Sequence, residues 1–150
     1  MPQSLTKIYL HIIFSTKYRR SLITDDVQTQ LYPYMAGILK TYKSTPVLIG
    51  GMPDHVHILT TLSKNYATCK LIEEVKKSSS KWVKTLSPYL RAFQWQNGYG
   101  AFSIGQSQIN AVTKYIERQK QHHRKMTFKE EFLKFLEKYQ VEYDERYLWD

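Results

Sequence analysis

The sequence predicts an α+β fold built on an antiparallel sheet, and three observations support that prediction. β-branched and aromatic residues are concentrated in segments 5–18, 46–50 and 55–62, which is typical of strands. Apolar residues at helical spacing lie between the first two segments and again after the third. Only Gly51-Met52-Pro53-Asp54 joins the second segment to the third, so these two are expected to form an antiparallel hairpin. The predicted order is β-α-β-β-α-β followed by two helices, a ferredoxin-like arrangement in a single domain, residues 1–150.

The first predicted helix follows Thr24-Asp25-Asp26, which offers an N-cap and an acidic first turn. Its apolar positions have helical spacing: Val27, Leu31, Met35, Ile38, Leu39 and Tyr42. Pro33 lies inside this helix and is expected to kink it or split it in two. A second helix is predicted over residues 67–86.

The remaining elements are shorter. Extended segments are predicted at 92–95 and 99–104, around the turn Gln96-Asn97-Gly98. A helix over 107–123 follows them. A last helix, 127–139, is expected to begin with a capping box formed by Thr127 and Glu130.

Composition favours a nucleic-acid partner. The net charge is +9 and the chain has 12 tyrosines and 3 tryptophans, and phosphates attract basic side chains while bases stack on aromatic rings. Candidate phosphate contacts are Lys17, Arg19, Arg20, Lys76, Lys77 and Lys81, for which an ordinary solvated surface is an equal alternative. Cys69 is the single cysteine, which excludes a disulfide framework and fits a cytoplasmic location. The apolar stretch near the N-terminus is too short for a membrane span, so no membrane partner is expected.

His55-Val56-His57 is the most informative short motif. Side chains alternate along a strand, so the two histidines share one face while Val56 points into the core. Two imidazoles make half of a metal site, although two ordinary packed histidines are the alternative. Leu59 stands where a histidine-triad hydrolase needs its third histidine, and no second H-x-T/S element for a two-histidine phosphoesterase is present. Both of those enzyme classes are disfavoured.

Helix 107–123 carries a second group of candidates. Tyr115 and Gln119 are one turn apart on the flank of an apolar stripe, and His122 continues that flank. Gln119 could complete a metal site with the two histidines, and the Tyr115 oxygen could attack a phosphate held there. Simple amphipathic packing is the alternative for Tyr115. His122 and His123 lie either near the site or at a solvated helix end, and His11 is expected to be a packed core histidine.

Three blocks of sequence carry a resemblance to a known family. They are GGMPDHVHIL at 50–59, W-Q-x-G-Y-x-x-F-S at 95–103 and Y-I-x-x-Q-x-x-H-H at 115–123. In order and spacing these blocks resemble the single-tyrosine HUH transposases of small insertion sequences, the TnpA type or IS200-like family, over residues 5–135. The resemblance places the metal histidines on His55 and His57, the nucleophile on Tyr115 and the metal-binding glutamine on Gln119.

The resemblance implies an enzyme that cuts and joins single-stranded DNA with Mg²⁺ or Mn²⁺. It also implies recognition of DNA hairpins at element ends, and a homodimer with active sites shared between subunits. The Q-x-x-H-H stretch favours the insertion-sequence branch over repeat-associated tyrosine transposases. A domesticated hairpin-binding protein that does not cut, and a metal-dependent phosphoesterase that releases free ends, are the alternatives. Segment 140–150 is expected to pack on the body or on a partner.

Overall fold

A four-stranded antiparallel sheet lies at the centre of the computed structural model, which describes residues 2–150. The strands are β1 (Tyr9–Ser15), β2 (Pro46–Met52), β3 (His55–Thr61) and β4 (Gly100–Ile104), in the lateral order β2-β3-β1-β4. The helices are α1 (Asp25–Thr41), α2 (Thr68–Val83), α3 (Ile109–Glu117), α4 (Gln119–His122) and α5 (Phe128–Lys138). Order and pairing confirm the predicted ferredoxin-like topology, with His55 and His57 on the inner strand β3.

One face of the sheet packs against α1 and α2. Its side chains are apolar and include Ile12 and Phe14 of β1 and Val56 and Ile58 of β3. The helices contribute fully buried residues to the same core, among them Leu31, Met35, Leu39, Leu71 and Val75. Val56 therefore points into the core, as the alternation along the strand predicts.

The opposite face of the sheet packs against α3 and α5. Ile13 of β1 pairs with His57 of β3, and both side chains lie on this face. The helix residues that cover it include Ile116 of α3 and Phe132 of α5. Alternation along β3 also turns His55 to this side. The HUH histidines are thus buried beneath the two C-terminal helices rather than exposed on the sheet.

Two glycines allow these helices to approach the sheet. A Cβ atom at Gly50 of β2 would lie 2.8 Å from the Ile116 side chain of α3. A Cβ atom at Gly100 of β4 would lie 2.5 Å from the Phe132 ring of α5. Gly50 pairs directly with His57, so its missing side chain brings α3 beside the HUH strand.

The structure differs from the sequence predictions at several boundaries. Strand β1 ends at Ser15, and Tyr18 and Arg19 after it have positive φ angles of 58° and 54°. Segment 92–95 contributes only an isolated bridge between Thr16 and Trp95. The predicted helix 107–123 is interrupted: a 3-10 turn spans Gln106–Gln108, and Arg118 separates α3 from α4.

The predicted split at Pro33 is wrong, because α1 runs without interruption from Asp25 to Thr41. Pro33 is exposed, so water can solvate the Thr29 carbonyl that loses its helical partner. The apolar stripe on the other side of α1 keeps the helix seated on the core. The capping box of Thr127 and Glu130 at the start of α5 is confirmed.

The C-terminal segment packs on its own chain. Trp149 lies with its ring centroid 6.0 Å from that of Phe132 and 6.4 Å from that of Phe128. The Asp150 carbonyl accepts a 2.9 Å hydrogen bond from the Gly98 backbone. Across residues 2–150, every helix falls short of the length and apolarity that crossing a membrane requires.

Candidate active site

Four side chains, three buried and one half-buried, converge between β3, α4 and α5. His55, His57, His123 and Glu131 place one ligand atom each within 4.8 Å of one another, and we call them the histidine–glutamate cluster. Glu131 Oε1 lies at the centre, 3.0 Å from His57 Nε2, 3.2 Å from His123 Nε2 and 3.4 Å from His55 Nε2. Three imidazole nitrogens and one carboxylate oxygen form a donor set that can hold a divalent metal.

The second ring nitrogen of each histidine has its own partner. His55 Nδ1 lies 2.7 Å from Asp54 Oδ1, and His57 Nδ1 lies 2.8 Å from His11 Nε2. His123 Nδ1 donates a 2.8 Å hydrogen bond to the Met126 carbonyl. Such outer contacts orient a histidine ring and turn its other nitrogen toward a metal. His11 is therefore a buried core histidine, as predicted, and it also orients His57.

His123 provides an independent test of whether the cluster fits a metal. In the neutral ring, Nδ1 carries the proton that it donates to Met126, and the lone pair is then on Nε2. That Nε2 is buried and lies 3.2 Å from Glu131 Oε1, but it makes no hydrogen bond of good geometry to any atom of residues 2–150. A buried polar atom without a partner is costly, and a cation at the centre of the cluster would satisfy it. The residues present fit a bound divalent metal.

The charges of the histidine–glutamate cluster also favour a bound cation. Burial would raise the pKa of Glu131, but its close contacts with His123, His55 and His57 outweigh that effect and hold the pKa far below its usual range. Burial would lower the pKa of His55, but the hydrogen bonds with Asp54 and Glu131 raise it to about 9. Burial lowers the pKa of His57 despite its contact with Glu131. The centre is a buried carboxylate anion that draws positive charge, from a proton on His55 or from a metal.

Tyr115 and Gln119 meet the cluster at the second oxygen of Glu131. The Tyr115 hydroxyl donates a hydrogen bond to Glu131 Oε2, and Gln119 Nε2 donates another at 3.1 Å. Gln119 Oε1 lies 3.0 Å from His55 Nε2. Burial and the charge of Glu131 raise the pKa of Tyr115, so the hydroxyl keeps its proton at neutral pH. The chain therefore brings Tyr115, Gln119, His55 and His57 together within one subunit.

His122 and His123, whose position the sequence left open, both border the site. The ring of His122 stacks on Tyr115 with 4.4 Å between centroids, and His123 belongs to the cluster. Both lie at the C-terminal end of α4, where each is only partly exposed. The interruption at Arg118 places Tyr115 and Gln119 on separate short helices, yet both side chains still reach Glu131.

Sequence reasoning missed Glu131, although a signal for it was present. Phe128, Glu131, Phe132, Phe135 and Leu136 recur at the spacing of one helical face. A carboxylate on the apolar face of a helix is buried and must find a partner there. The capping box at Thr127 fixes the start of α5, and Phe132 anchors it against Gly100. Glu131 is then only 1% exposed.

The six candidate phosphate contacts divide into three pairs. Arg19 and Lys76 are engaged within the fold: Arg19 donates to the Trp149 carbonyl at 3.3 Å, and Lys76 Nζ donates to the carbonyls of turn 96–98. Lys17, which is half-buried, and the exposed Lys77 line a cleft of about 420 Å³ beside that turn. Exposed basic residues elsewhere include Arg20 and Lys81 from the predicted set, and Lys84 and Arg91, which the sequence analysis did not select.

Comparison with known proteins identifies the family of the chain. A family model described as "Transposase IS200 like" matches residues 4–119, more than half of the chain. The chain belongs to the IS200-like transposase family. The family match ends at Gln119, so His123 and Glu131 lie beyond it.

Among relatives of this IS200-like transposase is the ISDra2 transposase TnpA of Deinococcus radiodurans. It is 24% identical over 114 residues, which cover 73% of this chain and 81% of that protein. A crystal structure of a Deinococcus radiodurans protein described as a transposase has a TM-score of 0.62 and 22% identity, covering 79% of this chain and 98% of that chain. A REP-associated tyrosine transposase bound to a REP hairpin has a TM-score of 0.60 and 16% identity, covering 82% and 73% of the two chains.

Proposed function

We propose that this IS200-like transposase cuts and rejoins single-stranded DNA at insertion-sequence ends through a covalent 5′-phosphotyrosine on Tyr115. One observation supports this more than any other: Glu131 contacts the candidate nucleophile with one oxygen and three histidines with the other. Such an arrangement couples a nucleophile to a metal site through a single carboxylate. A protein that only grips DNA needs neither group.

The proposed step is a transesterification. The Tyr115 oxygen attacks the scissile phosphorus, a new bond forms between them, and the bond from phosphorus to the 3′ oxygen breaks. Glu131 Oε2 already accepts the Tyr115 hydroxyl hydrogen bond, so it is the acceptor within reach of that proton, which then passes on to water because the pKa of Glu131 is low. The departing 3′ oxygen takes up a proton and leaves as a free hydroxyl. Attack of a 3′ hydroxyl on the phosphotyrosine reverses the step and joins strands.

His55, His57 and Gln119, the ligands predicted from the sequence, are proposed to hold a divalent metal together with His123 and Glu131. When bound, the metal polarises the scissile phosphate and offsets its charge. A set with three imidazole nitrogens fits Mn²⁺ better than Mg²⁺, which prefers oxygen ligands. His11, Asp54 and Met126 orient the three histidine rings through their outer nitrogens.

Hairpin recognition is a further part of the proposal, supported by the fold shared with a transposase that was solved on a REP hairpin. Lys17 and Lys77 are the proposed phosphate contacts in the cleft beside turn 96–98, with Arg20 and Lys81 as further exposed candidates. A homodimer and a cytoplasmic location stay expectations.

The direct test uses single-stranded DNA from the sequence that flanks the gene, labelled at either end and run on a denaturing protein gel. A 5′-phosphotyrosine leaves the 3′-end label on the protein and releases the 5′-end label on a shorter strand. Tyr115→Phe should abolish the labelled adduct, and Tyr89→Phe, at an exposed tyrosine far from the cluster in sequence, should leave it unchanged. Cut DNA without an adduct would favour a phosphoesterase, and binding without cutting would favour a hairpin-binding protein.

A further inference from the structure

A cavity of about 380 Å³ opens beside Tyr115, between α3 and α5. Its lining includes Ala111 and Tyr115 from α3 and Glu131 and Phe135 from α5. The volume lies in the range of small-molecule binding sites and is large enough for a nucleobase with its sugar. The step described above uses the Tyr115 hydroxyl and Glu131, but it leaves the rest of this cavity unassigned.

The cavity combines aromatic walls with a basic rim. Phe135 and Tyr139 line it with rings that are nearly parallel, at an interplanar angle of 10°. Lys134 and Lys138 of α5 also line it and are exposed to solvent. A purely apolar ligand would not need two ammonium groups, and a simple anion would not need aromatic walls. A nucleotide needs both, since its base stacks on rings and its phosphate pairs with lysine.

The position of the cavity selects one nucleotide of the substrate. Tyr115 and Glu131 are shared by the cavity wall and the candidate active site, so a phosphate attacked by Tyr115 would lie at the cavity mouth. We propose that the cavity binds the base of the nucleotide next to the scissile phosphate, with Lys134 and Lys138 on the neighbouring backbone phosphates. The assignment of that nucleotide to the cleavage site rests on the proposed function.

The chain offers a variant that fills the cavity and a matched control. Ala111 is an exposed residue of α3 that lines the cavity, so Ala111→Leu places an aliphatic side chain in it without adding a ring that could stack. Asn110 is the preceding exposed residue of the same helix and does not line the cavity. Leucine is a good helix former at both positions. Thermal unfolding of both variants verifies that they fold.

The first experiment needs no DNA cleavage. Binding of the four deoxynucleoside 5′-monophosphates and of deoxyribose 5-phosphate is measured by NMR titration. At least one nucleotide should bind about tenfold or more tightly than the sugar phosphate, because only the nucleotide carries a base to stack. Ala111→Leu should weaken that nucleotide about tenfold, and Asn110→Leu should not. Equal binding of nucleotide and sugar phosphate, or unchanged binding to Ala111→Leu, would overturn the proposal.

The second experiment separates this proposal from the proposed function. Wild type and both variants are given a randomised single-stranded DNA pool, and the base next to each covalent junction is sequenced. Wild type and Asn110→Leu should share a base preference at one side of the junction, which Ala111→Leu should lose. Nucleotide binding without any adduct would refute transposase chemistry but support the pocket. Adducts with the same base preference in Ala111→Leu would support the chemistry and refute the pocket.

Discussion

The two faces of the sheet are built from different kinds of side chain. The face under α1 and α2 holds apolar residues such as Phe14, Val56 and Ile58, which are essentially fully buried. The face under α3 and α5 instead buries polar side chains near its centre: His11, His55, His57 and Glu131, with the half-buried His123 beside them. Strand β3 contributes to both faces, because its alternate residues point to opposite sides, whereas His123 and Glu131 come from the end of α4 and from α5.

This difference separates stability from function. Apolar burial on the first face stabilises the fold in proportion to the area removed from water. A buried carboxylate surrounded by imidazoles stabilises little or nothing relative to packed apolar side chains, since desolvation of its charge offsets the attraction. A polar cluster kept in such a place is therefore best explained by what it does. Substitutions can therefore be chosen that affect one face of the sheet without the other.

The largest expected effect is on catalysis, from a substitution on the polar face. His57→Ala removes one nitrogen at the cluster and should lower adduct formation more than about 100-fold, because changes outside the direct ligands of a metal already cost 10–100-fold. Hairpin binding should remain, since His57 is fully buried and contacts no exposed basic residue of the cleft. Excess chelator should reproduce the loss in wild type, and Mn²⁺ should restore it.

Adduct formation and hairpin affinity are measured on the same preparation of His57→Ala. If this variant, or chelated wild type, forms adduct at the normal rate, the metal assignment is wrong. If it loses hairpin binding as well, the polar face contributes to DNA binding and the division between the two faces fails.

The next prediction concerns whether one chain supplies a whole site. Tyr115 reaches Glu131 of its own chain, so the single-chain geometry favours a complete site in every subunit, in contrast to the sharing that the resemblance implied. A mixture of His57→Ala and Tyr115→Phe chains, allowed to exchange subunits, should then stay inactive because every site keeps one defect. Recovery of adduct formation in the mixture would instead favour a homodimer with shared sites.

On the apolar face the expected effect is on stability. Phe14 is fully buried and its ring packs edge-on to Trp95 with 4.8 Å between centroids. Phe14→Ala should lower the free energy of unfolding by about 3–5 kcal/mol, through lost burial and a cavity. Tyr115→Phe on the other face keeps the ring and removes one hydrogen bond to a charged carboxylate, so it should cost no more than about 3 kcal/mol. Urea unfolding of the two variants compares the faces directly, and a larger cost for Tyr115→Phe would contradict the comparison.

The apolar face and the order of the strands could be predicted well from the sequence. The alternating pattern of β1 and β3 and the helical spacing of α1 both arise because one side of each element is buried. When the surface that covers this side is apolar, the local sequence alone shows which residues are buried. The boundaries of the strands and helices were harder to predict. Strand β1 ends earlier than expected, before the positive φ angles of Tyr18 and Arg19, and α1 is unbroken because Pro33 is exposed. Both depend on tertiary surroundings that the local pattern does not record.

The polar face was predicted only in part. His55 and His57 were visible because a strand places them on one side, and Tyr115 and Gln119 because of helical spacing and the resemblance. Glu131 was missed because its partners lie 74 and 16 residues away, at His57 and Tyr115. Its position on the apolar stripe of α5 marked it as buried, but only the packing of α5 against β4 reveals which groups it meets.

The smallest expected effects separate two adjacent lysines of α2. Lys76 donates hydrogen bonds to the carbonyls of turn 96–98, and burial lowers its pKa to about 8, whereas Lys77 is exposed in the neighbouring cleft. Lys76→Gln should therefore lower the free energy of unfolding, by about 1–3 kcal/mol, because charge-assisted hydrogen bonds hold that turn. Lys77→Gln should leave the free energy of unfolding unchanged and weaken DNA binding instead.

The salt dependence of DNA binding measures the contribution of Lys77. For wild type, about six phosphate contacts would give a slope near −4 in log affinity against log salt with single strands, and Lys77→Gln should reduce the magnitude of that slope by about 0.7. A flat salt response in wild type, or the same slope in Lys77→Gln, would show that DNA does not follow this cleft.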